Sequence, residues 1–242
     1  MKLLGIKLDK FFAMFPITQS RHYILLILFF VASTLGAKED KPLLSQEDWV
    51  TEQKPGGSVA FNTTSLEIKD TAGSTIWYRT KLTSPLEINY SISVINDDDK
   101  NYRVSDLNCF WMANESNEDV APYQSHTPRH GAFSEYDSLY TYYVGYGGNN
   151  NSTTRFRRYD GTKNRPLLQE NDLRDQKHLL IGNHTYHIKL ICKNNLTEYW
   201  CDGEKIFSFH DPKPLKSGWF AFRLLKNHVV VTDFKVSENL KP

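Results

Sequence analysis

From about residue 59 onward, apolar positions recur with a period of two, in short runs bounded by turn residues. Runs at 65–69, 75–81, 86–94, 107–112, 139–146, 153–159, 186–193, 197–201, 205–209, 218–224 and 229–236 each predict a strand. No helix-length stretch with a 3.6-residue period interrupts them, so no crossover helices are available to build a parallel sheet. The pattern therefore predicts an all-β antiparallel sandwich.

The run ending at Lys193 gives the sharpest local expectation. Asn194-Asn195 can supply the positive backbone angles of a two-residue hairpin turn. Register then places Lys193 opposite Leu196, Cys192 opposite Thr197, Leu190 opposite Tyr199 and Ile188 opposite Cys201, which gathers the apolar side chains on one face. Trp200 falls on the other face with Lys189, Glu198 and Asp202. In this register Cys192 and Cys201 are not opposite each other, so both are expected as free, buried thiols. Asp202-Gly203 predicts a second tight turn into 205–209.

The segment before these strands differs in character. Arg21 and His22 precede an apolar run over 23–35 that ends in Gly36, Ala37 and charged Lys38, which is the grammar of an export signal. The run is short for a membrane span of about 20 residues, and Met14 is an alternative start that leaves a signal of ordinary length. The expected organisation is a signal peptide or anchor over 1–37, a linker over 38–57 and one domain over 58–240, in a secreted, periplasmic or envelope protein that touches the membrane only through an uncleaved N-terminal segment. Roughly 200 residues remain for the domain, enough to bury a core without staples.

Composition narrows the partners. With 29 basic and 28 acidic residues, the formal net charge is +1, so no single-sign field recruits nucleic acid. Any preference for anions has to come from a local cluster. Three cysteines make neither a full disulfide framework nor a zinc spacing. No cofactor is expected. A structural calcium at the acidic run 97–99 is the alternative to a hydrated turn there.

The segments SDLNCFWMA at 105–113, YYVGYGG at 142–148, TTRFRRYDG at 153–161, WCDGEKIF at 200–207 and GWFAFR at 218–223 resemble the bacterial YesU-like proteins. Those are concanavalin A-like jelly rolls associated with pectin and rhamnogalacturonan utilisation. The likeness spans about 77–236. It implies a concanavalin A-like jelly-roll β-sandwich of two antiparallel sheets and a polysaccharide as partner. It fixes no reaction.

The arginine block is the strongest candidate site. Alternation puts Arg155, Arg157 and Tyr159 on one face of a strand and Phe156 on the other. Guanidinium groups presented in this way suit the carboxylates of an acidic sugar; a solvated face, or pairing with Glu170 or Asp172, is the alternative. A lyase would need a cation to neutralise the sugar carboxylate and a base for the neighbouring proton. Arg155 or Arg157 would supply the first, and Tyr143, Tyr159, His130 or His228 the second.

A hydrolase would need two carboxyl groups. Glu135 and Asp137 would share a face if 135–137 were a strand, but no third acid of a glucanase pattern follows. A binding module needs only aromatic platforms and hydrogen-bonding side chains; Trp200, Trp77, Trp111 and Tyr159 are candidates for the first. Asn108, Arg223, Glu135 and His228 complete the substrate-binding set. Gly145-Tyr146-Gly147-Gly148 reads as a turn or bulge, since no helix follows it.

Overall fold

The computed structural model describes residues 44–97, 99–115 and 120–238. The expected export segment, Met14 and Asp98 of the acidic run lie outside these residues. Among the described residues, the strands are β1 (Trp49–Gln53), β2 (Ser58–Phe61), β3 (Ser65–Lys69), β4 (Ser74–Tyr78), β5 (Leu82–Thr83), β6 (Leu86–Val94), β7 (Leu107–Asn114) and β8 (Tyr140–Gly147) in the first half. They continue as β9 (Thr153–Asp160), β10 (Asp172–Leu173), β11 (Thr185–Lys193), β12 (Leu196–Cys201), β13 (Glu204–His210), β14 (Ser217–Leu224) and β15 (His228–Glu238).

All pair antiparallel into two sheets. The first runs β1-β4-β14-β7-β8-β9-β10, with β5 joined to β14; the second runs β13-β12-β11-β6-β15-β3-β2. This is the two-sheet jelly-roll sandwich that the period-two pattern and the resemblance imply.

The space between the sheets is filled from both sides. Trp111, Tyr142, Phe156, Phe220 and Phe222 come from the first sheet, and Leu66, Ile88, Tyr90, Leu190 and Val231 from the second. The two outer faces differ. Strands β11 and β12 alternate buried with partly exposed residues, as a sheet with one wet face must. Strands β4, β7 and β14 are buried at almost every position, because the outer face of the first sheet is also covered. The cover is the segment 120–139, whose Ala121, Phe133, Tyr136 and Leu139 pack on Trp77, Phe110, Tyr143, Tyr159 and Trp219.

Arg129 anchors the cover. Its guanidinium donates to the Glu135 carbonyl at 2.8 Å and the Pro122 carbonyl at 2.5 Å, lies 2.5 Å from the Glu115 carboxylate and faces the Tyr136 ring. A bulge at Met112, whose φ is 52°, shifts the register between Trp111 and Asn114. Trp111 and Met112 thereby both face inward, while Phe110 and Ala113 face the cover.

The 185–201 hairpin forms with the expected register, Lys193 opposite Leu196 through Ile188 opposite Cys201. Asn194 takes the positive φ, and Asp202 with Gly203 makes the second turn. Cys109, Cys192 and Cys201 are free and buried, and burial pushes each thiol up to about 12.

One expectation is corrected. The sandwich begins not near Val59 but upstream, inside the segment read as linker. Trp49 on β1 is 3% exposed, lies against Phe222 at 5.4 Å and Phe234 at 5.0 Å, and its strand pairs with β4. The polar residues around it mask the strand, because β1 is an edge strand with only Trp49 fully buried. Trp49→Ala is expected to lower the unfolding free energy by about 3–5 kcal/mol in urea titration. A linker residue would change it by no more than about 0.5 kcal/mol.

Candidate functional site

Strand alternation builds the site. Phe156 on β9 is 2% exposed and sits against Trp111, Tyr142, Phe207 and Phe209 between the sheets. Its neighbours Arg155 and Arg157 therefore leave by the outer face. Antiparallel pairing sets Arg223, Asn108, Gly145 and Arg155 side by side across β14, β7, β8 and β9. Phe110, Tyr143 and Arg157 form the next row. Gly145 has no side chain, and the Tyr143 ring lies over it at the centre of the first row. A Cβ there would lie 2.7 Å from the Tyr143 hydroxyl.

The result is a pocket of about 590 Å³ on the outer face, in the size range of small-molecule sites. Among the described residues, five arginines line it (Arg103, Arg155, Arg157, Arg165 and Arg223) against one lining carboxylate, Asp106. Their partners differ. Arg103 bonds Asp106 Oδ2 at 2.9 Å. Arg155 grips Asp172 through Nε–Oδ1 at 2.8 Å and Nη2–Oδ2 at 3.1 Å, the pairing foreseen as an alternative to sugar binding. Arg165 lies 3.5 Å from Asp137.

Arg157 and Arg223 form no direct ion pair with a carboxylate among the described residues, although Asp70 and Asp106 act on Arg223 and Asp137 on Arg157 from farther off. Arg157 Nη1 donates to the Arg165 carbonyl. Arg223, 2% exposed, donates through Nη1 to the carbonyls of Ser74 and Leu224, while its Nε is left without a partner. Burial lowers the pKa of both guanidiniums, and for Arg157 the nearby Arg155 and Arg165 act in the same direction. Aromatic faces partly compensate: Phe133 lies 5.2 Å from Arg165 and 5.3 Å from Arg223.

The remaining sequence candidates divide between this pocket and elsewhere. Asn108 and Tyr143 line it. Burial raises the Tyr143 phenol well above its ordinary value, so the group is a neutral hydroxyl at physiological pH. Tyr159 points to the same side as Arg157 but is 0% exposed beneath the cover and does not line the pocket. Trp77 is no platform: it is fully buried, stacked on Phe110 at 6.0 Å, and donates to Glu52 at 2.8 Å. Trp111 is likewise core, donating to Thr197 Oγ1 at 3.0 Å.

Residues 133–136 form a 3-10 turn and not a strand. Glu135 is therefore not paired with Asp137 as a catalytic dyad. Its Oε2 accepts the backbone N–H groups of His130 and Ala132, and these bonds outweigh burial to lower its pKa. The His130 side chain is 73% exposed and does not line the pocket. His228 lies on β15 of the second sheet, 2.8 Å from Glu67. Trp200 also belongs to the second sheet, on its outer face as expected, with Lys189 Nζ 4.6 Å from its ring and Nε1 donating to Glu198.

Sequence reading missed Arg103, Asp106, Phe133, Arg165 and the Asn149-Asn150 turn, all of which line the pocket. The glycine-rich stretch at 145–148 was the available signal, since a side-chain-free position in a strand marks close approach of something else.

Asp172 carries a pH signature. The Arg155 hydrogen bond is the main cause that lowers its carboxyl from an ordinary 3.8 to about 2. A carboxylate with a depressed folded-state pKa stabilises fully above its unfolded value, and that contribution is lost as pH falls. The wild-type chain is expected to lose stability between pH 3.8 and about 2. Thermal melts across that window should show a shallower decline for Asp172→Asn.

Residues 68–234 match the family described as "Domain of unknown function (DUF6250)". No curated protein matches the chain. A Bacillus subtilis protein of unknown function with a galectin-like fold superposes with a TM-score of 0.62 at 18% identity, over 82% of this chain and 94% of its own. The carbohydrate-binding module CBM66 from Bacillus subtilis gives 0.54 at 10% identity, over 79% of this chain and 96% of its own. The exoplasmic/lumenal domain of VIP36, in its Ca²⁺/Man3GlcNAc-bound form, gives 0.53 at 10% identity, over 83% of this chain and 88% of its own. At such identities the likeness establishes the sandwich architecture. With the family match covering most of its length, the chain belongs to the DUF6250 family and folds as a galectin-like jelly roll.

Proposed function

We propose that this chain is an exported carbohydrate-binding protein whose outer-face pocket holds an acidic glycan of the pectic or rhamnogalacturonan type. The observation that carries the reading is the charge imbalance of the pocket: among the described residues, five arginines line it against one carboxylate, and Arg157 and Arg223 form no direct ion pair. A buried cation such as Arg223 and a half-buried one such as Arg157 are costly unless a counter-charge is delivered, and a carboxylate offers the planar acceptor that a guanidinium fits. The fold agrees, since CBM66 and the VIP36 domain are built on the same sandwich. The YesU-like resemblance supplies the pectic class.

Binding is favoured over cleavage by what the pocket offers a proton. Among the described residues no histidine lines it, Tyr143 is held neutral, and Asp106 is engaged by Arg103. A β-elimination through a histidine or tyrosinate base, or a two-carboxylate hydrolysis, has no such group within the pocket.

Isothermal titration with polygalacturonate and with a neutral glucan tests the reading. Only the acidic polymer is expected to bind, without new ultraviolet-absorbing or reducing ends. Arg157→Ala should weaken that binding by more than about tenfold and leave the unfolding midpoint near wild type. Equal binding of both glycans, or an Arg157→Ala variant that loses stability with affinity unchanged, would contradict it. Appearance of unsaturated ends would replace the binding reading with a lyase.

A further inference from the structure

The pocket is walled along the strands as well as across them. At the Tyr143 end stands Phe133 of the cover, 5.6 Å from the Tyr143 ring, with Arg165 against its other side. At the Gly147 end stands the turn Asn149-Asn150, to which Arg103 donates. Arg223 and Leu225 bound the third side, and Arg155, Arg157 and Asn164 the fourth. A polysaccharide bound in mid-chain needs two open ends, one for each direction of the polymer.

The Gly147-end wall is built into the fold. Asn149, Asn150 and Asn151 hold φ of 52°, 57° and 59° in succession, a left-handed run that most side chains resist and asparagine tolerates. Asn151 locks it from behind, donating to the Leu180 carbonyl at 2.9 Å and accepting the Leu180 N–H at 2.8 Å. The opposite wall is fixed by the Arg129-anchored cover. Over Gly145 the Tyr143 ring and hydroxyl close the floor of the row between Asn108 and Arg155.

We infer that the pocket takes the end of an acidic glycan: a single terminal uronate seated against Tyr143 with its carboxylate on Arg157, the rest of the chain leaving toward solvent. This rests on the acidic-glycan reading and adds to it the part of the polymer that is recognised. It makes the protein a reader of chain ends, whose binding capacity follows the number of ends and not the mass of polymer. Cleavage of a polymer multiplies such ends, so the ligand becomes abundant when an endo-acting depolymerase works on the same glycan.

The test titrates the whole chain with galacturonate oligomers of increasing length and measures the mass of complexes on long polygalacturonate by light scattering. Affinity is expected to be set by the shortest oligomers and to stay level with length, free galacturonic acid should compete, and each polymer should carry one protein whatever its length. Oligomers reduced at one end and oligomers unsaturated at the other then identify which terminus is read. Protein bound in proportion to polymer length would overturn chain-end recognition and leave the acidic-glycan reading standing. Failure of every acidic oligomer to bind would overturn both.

Two variants keep the geometry testable. Gly145→Ala, at a backbone angle open to alanine, sets a methyl 2.7 Å from the Tyr143 hydroxyl and so displaces that ring from the pocket floor. Asn150→Gly keeps the left-handed turn and removes the wall's amide. Each is expected to cost the shortest oligomer about tenfold in affinity or more. Wild-type affinity in either folded variant would contradict the placement.

Discussion

A period of two along β9 governs the candidate site. Phe156 is large and apolar, and the space between the sheets is where such a ring gains most from leaving water. Once it is committed there, against Trp111, Tyr142, Phe207 and Phe209, Arg155 and Arg157 have no inward option. They stand on the outer face beside Gly145 and Tyr143 because antiparallel register puts those residues opposite them. Slipping β9 by one residue would bury both guanidiniums between the sheets and expel the ring.

The second determinant is that the outer face of this sheet is only partly wet. The segment 120–139 lays Phe133, Tyr136 and Leu139 over Trp77, Phe110 and Tyr143, turning half of a solvent face into a second small core. What remains uncovered is a bounded pocket and not an open trough, and its arginines sit at the margin between water and that core. Arg103, Arg155 and Arg165 pair with Asp106, Asp172 and Asp137, while Arg157 and Arg223 are held by backbone carbonyls and, for Arg223, an aromatic face. The arrangement holds positive charge close to a surface from which it can still be reached.

The sequence made the sandwich and the 185–201 hairpin legible, because both depend on alternation and on turn residues that act locally. Trp200, placed outward by register arithmetic, is on the wet face of the second sheet with Lys189 over its ring. The outward turn of the arginines was legible for the same reason. What alternation does not reveal is which faces are covered. Trp77 and Tyr159 point outward as their period requires, yet both are buried because a segment far along the chain returns to roof them. Glu135 looked like half of a strand pair and is instead the side chain that closes its own 3-10 turn. Trp49 escaped notice because an edge strand with one buried residue carries almost no periodic signal. Arg103, Arg165 and the Asn149-Asn150 turn come from three separate loops, and nothing short of the tertiary fold brings them to one pocket.

The central claim is that an acidic sugar sits on the outer face of the first sheet, against Tyr143 and Arg157. A crystal structure of the protein soaked with galacturonate tests it most directly. The account predicts sugar density in that pocket with the carboxylate within hydrogen-bonding distance of the Arg157 guanidinium; density stacked on Trp200 of the second sheet, with the arginine pocket holding only water, would contradict it.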